Sequence, residues 1–459
     1  MTLALELVRA WRQAAAAPLS EAVLQAASLH FVDALGVGLA AAGSPVGEPY
    51  RKAAQTLAQG GPASVLAGER RAAAADAALI NGGLMHSLEF DDTHTGSIMH
   101  GSSALAPAAL AAAQACGASG SALLGAYARG WEALVCLGLA APGRFHAQGW
   151  QATSVAGVMA AALIAAELAS LDEPQMLAAL GISLSQAGGV MEFLSNGSSV
   201  KSLHSGWAAH GGVMAATMAA SGMTGPLTAL DGRWGLFKQF TDDDQAESRL
   251  SGLLRGFGHD WHLLEAAFKF YPCCHYLHPF IEAASILSDR GLQVNDIKSI
   301  ACEVPAGAAP VICEPWARAL APASGHAARW SLPVALAARL VEGDVGLQTF
   351  ERSPSDAVLA LARKVSWTRL ENARFPQRFE AVVRIELDGG RVEQVRIDDV
   401  DGNHTRPPSP QRVLDKFRRN AQRTLSTDGV ARLEAACMTL SSSANLQDLG
   451  RALALRAPD

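Results

Sequence analysis

Through residues 1 to about 265, apolar positions recur at three- and four-residue spacing, and alanine fills many of them, as in "VAGVMAAALIAAELASL" (155–171). That period predicts buried and half-buried helices. Small side chains at a contact let two helix backbones approach closely, so the stretch is expected to fold as a tightly packed bundle. Breaks are expected at "AAGSPVGEP", "ACGASGSA", "AAPGRFHAQGW" and "SGMTGPLTALDGRWG". From Gly101 to Ala128 no formal charge appears. Pro107, Gln114, Gly117, Gly120 and several serines interrupt that run, so it reads as a buried pair of core helices and not as a membrane span. The N-terminal "MTLALELVRAWRQAAAAPLSEA" carries Glu6, Arg9 and Arg12 inside its apolar pattern, which marks an amphipathic helix and not a signal peptide.

The pattern changes after about residue 266. "DIKSIACEVP" reads as a strand, and "FEAVVRIELDGGRVEQVRIDDV" as a hairpin, two alternating runs around "DGG". A helix, "WSLPVALAARLVEG", separates them. From "SPQRVLDKFRRNAQRTLS" onward the pattern is again that of an amphipathic helix. The expected fold is mainly α: a large all-helical domain from 1–265 plus 401–459, with a smaller α+β domain, 266–400, inserted. With 49% apolar and 17% charged residues, much of the surface is buried within the chain or in an oligomer. The net charge is −6 and no basic stripe appears, which argues against nucleic acid. Seven scattered cysteines without a C-x-x-C argue against a disulfide framework and for a reducing, cytoplasmic setting.

Four stretches concentrate chemistry. "MHSLEFDDTHTGSIMHGSS" (85–103) gathers His86, Glu89, Asp91, Asp92, His94 and His100. Carboxylate beside imidazole holds an acid or base near neutral pH. The same groups could cap helices, or His86, Asp91, His94 and His100 could hold a metal, although no zinc-type spacing is present. "SNGSSVKSLHSGWAAHGG" (195–212) places Lys201 and His204 just ahead of a helix, with Ser205 as a cap, a setting for an anion. "FKFYPCCHYLHPFIEAASIL" (268–287) brings His275 and His278 to one helix face and a pair of buried thiols. "RFHAQGWQATSVAG" (144–157) offers His146 and Gln151.

The ordered set "HSLEFDDTH" with its following histidine, "KSLHSGWAAHGG", "MTGPLTALDGRWGLF", "YPCCHYLH", "WSLPVALAARL" and "KFRRNAQ" resembles the 2-methylcitrate dehydratase / cis-aconitate decarboxylase family, MmgE/PrpD, over nearly the whole chain. The resemblance implies a helical domain with an inserted α+β lid and a site between them. It also implies a homodimer, and chemistry on small di- and tricarboxylates without metal or organic cofactor. By motif, Glu89 falls at an acidic active-site position, with Asp91 and Asp92 beside it. Thr93 and His100 fall at substrate-facing positions. Lys201 falls at the carboxylate-holding lysine and His278 at the proton-carrying histidine near the lid. His204 and Gln151 join the substrate-binding set. Four features depart from the pattern, one being a Thr93-to-His100 spacing one residue longer than in the decarboxylases. His100-Gly101-Ser102 stands for His-Pro-Ser, Gln151 for a histidine of the decarboxylases, and Val334 near a tyrosine.

The activity expected from the resemblance is that of a cofactor-free lyase or isomerase removing a proton next to a carboxylate. His100 or His278 would serve as base and acid, Glu89 would orient an imidazole, and Lys201 would neutralise the substrate. Dehydration of the 2-methylcitrate dehydratase type ranks first, with epimerisation, racemisation or decarboxylation as alternatives. From other classes, a metal-dependent hydrolase and a non-catalytic carboxylate-binding protein are the competing readings.

Overall fold

The charge-free run folds as two helices, Gly101–Cys116 and Gly120–Ala140, in a computed structural model that describes residues 1–454 apart from 67 and 69. Residues 455–459 of the expected helical domain therefore lie outside the described residues. Gly117 takes φ 64, a left-handed turn that glycine adopts without strain, and Ser119 Oγ caps the second helix by accepting from Ala122 N–H. Both helices are buried along most of their length. The expected breaks separate the long helices, with a 3-10 turn Pro45–Gly47 inside the first and a short helix Arg144–Ala147 inside the third. The chain is mainly α and divides into two compact units.

The larger unit comprises residues 1–87, 91–266 and 409–459. Its centre is the helix Lys201–Ala220, packed against Ala74–His86 and Ala152–Leu168. The small residues make this possible. A Cβ on Gly82 would stand 2.8 Å from the Gly206 Cα, and one on Gly206 would stand 2.3 Å from the Leu79 carbonyl oxygen. Those obstacles are backbone atoms and cannot rotate away. Further along, a Cβ on Gly212 would meet Ala161 Cβ at 2.4 Å. One helix among the described residues, Glu21–Ala42, is long and apolar enough to cross a membrane, but 72% of its most apolar window is buried inside the unit. It packs against Ala74–His86 and against Pro410–Ala421 near the C-terminus, where Phe417 covers Gly36. Ser409 Oγ caps the helix Pro410–Ala421, and Pro410 occupies its first position.

The smaller unit comprises residues 88–90 and 267–408. Its sheet runs in the order Val365–Leu370, Ile297–Pro305, Ala381–Leu387, Val392–Ile397. The first pair is parallel, with Ile300 opposite Val365. The other two are antiparallel, with Cys302 opposite Val383 and Val383 opposite Val395. The "DGG" turn closes the expected hairpin, its glycines at φ 87 and 84. The helix His278–Asp289 lies on the two hairpin strands, and Leu332–Glu342 packs on that helix. Val334 is buried in the resulting core with Cys273, Cys302 and Cys313. All seven cysteines are free thiols.

The unit extends eight residues beyond the expected boundary at 400, and Asp399 supplies the reason. Its Oδ2 accepts from Asn403 Nδ2 at 2.9 Å and from the Thr405 hydroxyl. Arg406 in turn donates to the Asp399 carbonyl and to Glu282 on the helix His278–Asp289. Polar stitching thus binds residues 399–406 to this unit. Leu88–Phe90 join it as well, the Glu89 carbonyl accepting from Lys269 Nζ at 3.3 Å.

Candidate active site

The 86–100 segment, which apart from residues 88–90 belongs to the larger unit, leaves one helix at His86 and enters the next at Gly101. His86 Nδ1 lies 2.7 Å from Asp91 Oδ2, with both side chains fully buried. His86 Nε2 is buried and makes no hydrogen bond. The His86 and His100 ring centroids are 5.2 Å apart. His100 Nδ1 is 3.0 Å from the Asp92 carbonyl oxygen, 3.1 Å from Thr93 Oγ1 and 3.8 Å from Asp91 Oδ2. A carbonyl oxygen only accepts, so Nδ1 carries the proton and the neutral ring has its lone pair on Nε2. The His100 backbone N–H donates to Thr153 Oγ1 at 2.9 Å, which fixes where the ring starts.

The two adjacent aspartates do different work. Asp91 faces the imidazoles. Asp92 is an anchor: it binds His30 Nδ1 at 2.7 Å and accepts from the backbone N–H and hydroxyl of Ser102 at the start of the next helix. Ser102 also meets the Tyr127 hydroxyl. The turn between Thr93 and His100 is closed by paired bonds between His94 and Met99 and holds Ile98 at φ 58. A β-branched residue in the left-handed region is strained, so the surrounding contacts dictate this turn.

Lys201 opens the helix Lys201–Ala220, and His204 lies in its first turn, not ahead of it. Ser205 is not the cap. It is buried inside the helix and bonds Ser103 Oγ at 2.9 Å. Burial, with the nearby charges of His86 and Lys201, lowers the His204 pKa to about 4. Burial and Lys201 do the same to His146. Gln151 itself caps the helix Ala152–Leu168, its Oε1 accepting from Ser154 N–H at 2.7 Å. Ser154 Oγ in turn donates to the His204 carbonyl at 3.1 Å.

In the smaller unit, His278 is the first residue of its helix, preceded by a 3-10 turn from His275. The two rings stand edge to face, 4.7 Å apart, and Tyr271 stands 5.2 Å from His278. Glu89 is buried with φ 53, a strained backbone for a residue other than glycine. Its charge is felt by Arg329, whose pKa burial lowers to about 10 against the opposing pull of Glu89. Lys269 and Arg329 are both fully buried, two cations that the sequence reading did not single out. The Cys273 thiol is pushed far up by burial, which suits a packing role.

The four-residue metal set does not assemble. His94 turns away from His86 and Asp91, binding Ser97 Oγ at 2.9 Å and Glu265 Oε2 at 3.2 Å. What does come together is a set of imidazoles near one ammonium at a helix start, two of which, His146 and His204, have lowered pKa values. Such a group can hold an anion and move a proton.

The MmgE/PrpD N-terminal domain matches residues 6–249, and the MmgE/PrpD C-terminal domain matches residues 271–441. The chain is 28% identical over 449 residues to the cis-aconitate decarboxylase-like protein oryM of Aspergillus oryzae, covering 93% of this chain and 92% of that one. It is 26% identical to the cis-aconitate decarboxylase of Aspergillus terreus, covering 93% and 91%. It is 29% identical to that of Homo sapiens, covering 81% and 76%. With both domains matched over most of its length, the chain belongs to the MmgE/PrpD family.

Proposed function

We propose that the chain is a lyase that moves a proton at the carbon next to a carboxylate of a small di- or tricarboxylate, with its own side chains as acid, base and counter-ion. The observation that carries this reading is the state of His100. Its Nδ1–H is committed to the Asp92 carbonyl, so Nε2 offers the lone pair of a base. Thr93 and the buried His86–Asp91 pair fix the ring's surroundings.

The proton beside a carboxylate is very weakly acidic, because its removal builds a second negative charge. A nearby cation and exclusion of water lower that barrier. Lys201 at a helix start supports the first requirement. His146 and His204, lowered to about 4, stay neutral at pH 7, so Lys201 supplies the positive charge of this group. His278 and Glu89, in the smaller unit, retain as proposals the roles that the resemblance gives them. Dehydration takes a proton from the carbon beside a carboxylate, whereas decarboxylation of an unsaturated tricarboxylate releases carbon dioxide and delivers a proton to such a carbon, and the names of the relatives favour an unsaturated tricarboxylate such as cis-aconitate.

The test is proton NMR of the purified chain in deuterated water with 2-methylcitrate, citrate, cis-aconitate, malate, tartrate and amino- or imino-dicarboxylates. Loss of a C–H signal beside a carboxylate is expected for at least one acid. New vinyl signals or evolved carbon dioxide then separate dehydration from decarboxylation. Absence of exchange and turnover with every acid would overturn the proposal.

A further inference from the structure

One residue, Asp92, separates His30 from the proposed base His100. On the helix Glu21–Ala42, His30 Nδ1 stands 2.7 Å from Asp92 Oδ2, with the two side chains 2% and 1% exposed. The Ser102 N–H donates to Asp92 Oδ1 at 3.1 Å, and the Ser102 hydroxyl donates to Oδ2. An ionised carboxylate only accepts, so His30 Nδ1 carries a proton and donates it to Asp92 beside the two Ser102 donors. The Tyr127 hydroxyl meets Ser102 Oγ, and burial pushes the Tyr127 pKa far up, so it keeps its proton and donates. The Trp131 ring packs against His30, with centroids 5.8 Å apart. It also closes on Gly101, where a Cβ would stand 2.5 Å from the ring.

His100 Nδ1 has two neighbours of different character. The Asp92 carbonyl oxygen, at 3.0 Å, only accepts, and so demands a proton on Nδ1. Thr93 Oγ1, at 3.1 Å, can accept or donate. With the carbonyl in place, the proton sits on Nδ1 and the lone pair on Nε2. With the carbonyl turned away, the Thr93 hydroxyl can donate to Nδ1. The ring proton then moves to Nε2, which offers no lone pair. The position of one carbonyl thus selects the tautomer, and the side chain of the same residue is what His30 grips.

We propose that His30 is a positioning residue: by fixing the Asp92 carboxylate it holds the Asp92 carbonyl on His100 and keeps His100 in the Nδ1–H tautomer. The hydrogen bond made by one ring nitrogen sets the state of the other. Here the group that makes that bond is itself held from a helix 62 positions earlier in the chain. The consequence for turnover rests on the lyase reading, and the consequence for the tautomer does not.

The full chain, labelled with ¹⁵N-histidine and free of substrate, would be followed by ¹⁵N–¹H correlation spectra with the imidazoles neutral, which report the tautomer of each ring. Loss of signals in His100→Gln identifies those of His100. The unaltered chain should show His100 as Nδ1–H. His30→Leu, which lacks the donor, should lose that single pattern and gain the Nε2–H form. His30→Asn, whose amide nitrogen falls where Nδ1 stood, should recover it. On the acid that the NMR panel identifies, kcat should fall in His30→Leu at least in proportion to the lost Nδ1–H share and return in His30→Asn. If the leucine chain does not fold, His30→Gln, whose amide lies one bond further out, takes its place. An Nε2–H tautomer in the unaltered chain would overturn the proposal. So would a folded His30→Leu or His30→Gln in which His100 stays wholly Nδ1–H, or His30→Asn mixing the tautomers as fully as the leucine chain. A shifted tautomer with unchanged kcat would support the positioning role and overturn His100 as the base.

Discussion

Lys416 Nζ lies 2.8 Å from Asp33 Oδ2, with both side chains 1% exposed and the two residues 383 positions apart in the chain. This pair fastens the C-terminal helix Pro410–Ala421 to the core helix Glu21–Ala42, one position from where Phe417 covers Gly36. Burial pushes the Asp33 carboxyl pKa up and the Lys416 charge pulls it back. Removing one partner leaves a buried charge without compensation, which costs about 3–5 kcal/mol. Lys416→Met should therefore lower the melting temperature sharply. Lys416→Met combined with Asp33→Asn should restore much of the loss. Equal melting temperatures for the single and double variants would show that the pair is not what holds the helix.

The contact at Gly82 and Gly206 sets how the helix carrying Lys201 and His204 lies on the helix that ends in His86. A Cβ on Gly206 would meet the Leu79 carbonyl at 2.3 Å and the Gly83 nitrogen at 2.9 Å. Overpacking of this kind costs about 1–3 kcal/mol. Gly206→Ala should lower stability by that amount in denaturant titrations and raise KM, because Lys201 and His86 move apart. Gly157→Ala is the control. Its Cβ would meet the side-chain atoms of Ala104 and Ala208, at 3.3 and 3.5 Å, and it should cost less than Gly206→Ala and leave KM unchanged.

The bundle was legible because alanine and glycine at helical spacing admit few other solutions, and the hairpin because "DGG" separates two alternating runs. The strand Val365–Leu370 was not. Ser366, Thr368 and Arg369 stand toward solvent and blur its alternation, and its parallel partner begins 68 residues earlier at Ile297. In the site, the clustering of acids and imidazoles at 86–100 is local and could be read directly. Which aspartate faces the imidazoles could not, because His30, 62 residues away, claims Asp92. That Gln151 caps the helix at Ser154, and that Lys201, 55 positions further on, bears on His146, are tertiary facts of the same kind. The burial of Lys269 and Arg329 is likewise a tertiary outcome that carries no local pattern.

His100 is the residue on which the lyase reading rests most heavily. General acid–base groups contribute about 10²–10⁴ in rate. His100→Gln keeps a polar side chain at the Asp92 carbonyl but offers no basic nitrogen. It should lose turnover by that factor with an unchanged circular dichroism spectrum. Thr93→Val removes only the hydroxyl 3.1 Å from Nδ1 and should cost less. Both are read from kcat on whichever acid the NMR panel identifies. Full activity of His100→Gln would move the base elsewhere.

Acid should weaken the larger unit through two of the histidines near Lys201. Burial, with the His86 and Lys201 charges, takes His204 from its ordinary 6.5 to about 4, and burial with Lys201 takes His146 equally low. Between pH 6.5 and 4 the unfolded chain binds these protons and the folded chain does not. Stability therefore rises with pH across that window and is lost as pH falls through it. Lys201→Met removes one cause of both shifts and leaves burial in place. Both values should then rise part of the way towards 6.5, and the acid loss should shrink. Melting temperatures from pH 7.5 to 4.5 for the two chains check the stability, and histidine NMR titrations check the individual groups. An identical pH dependence in the variant would mean that Lys201 does not bear on these imidazoles, and would remove the electrostatic support for an anion site there.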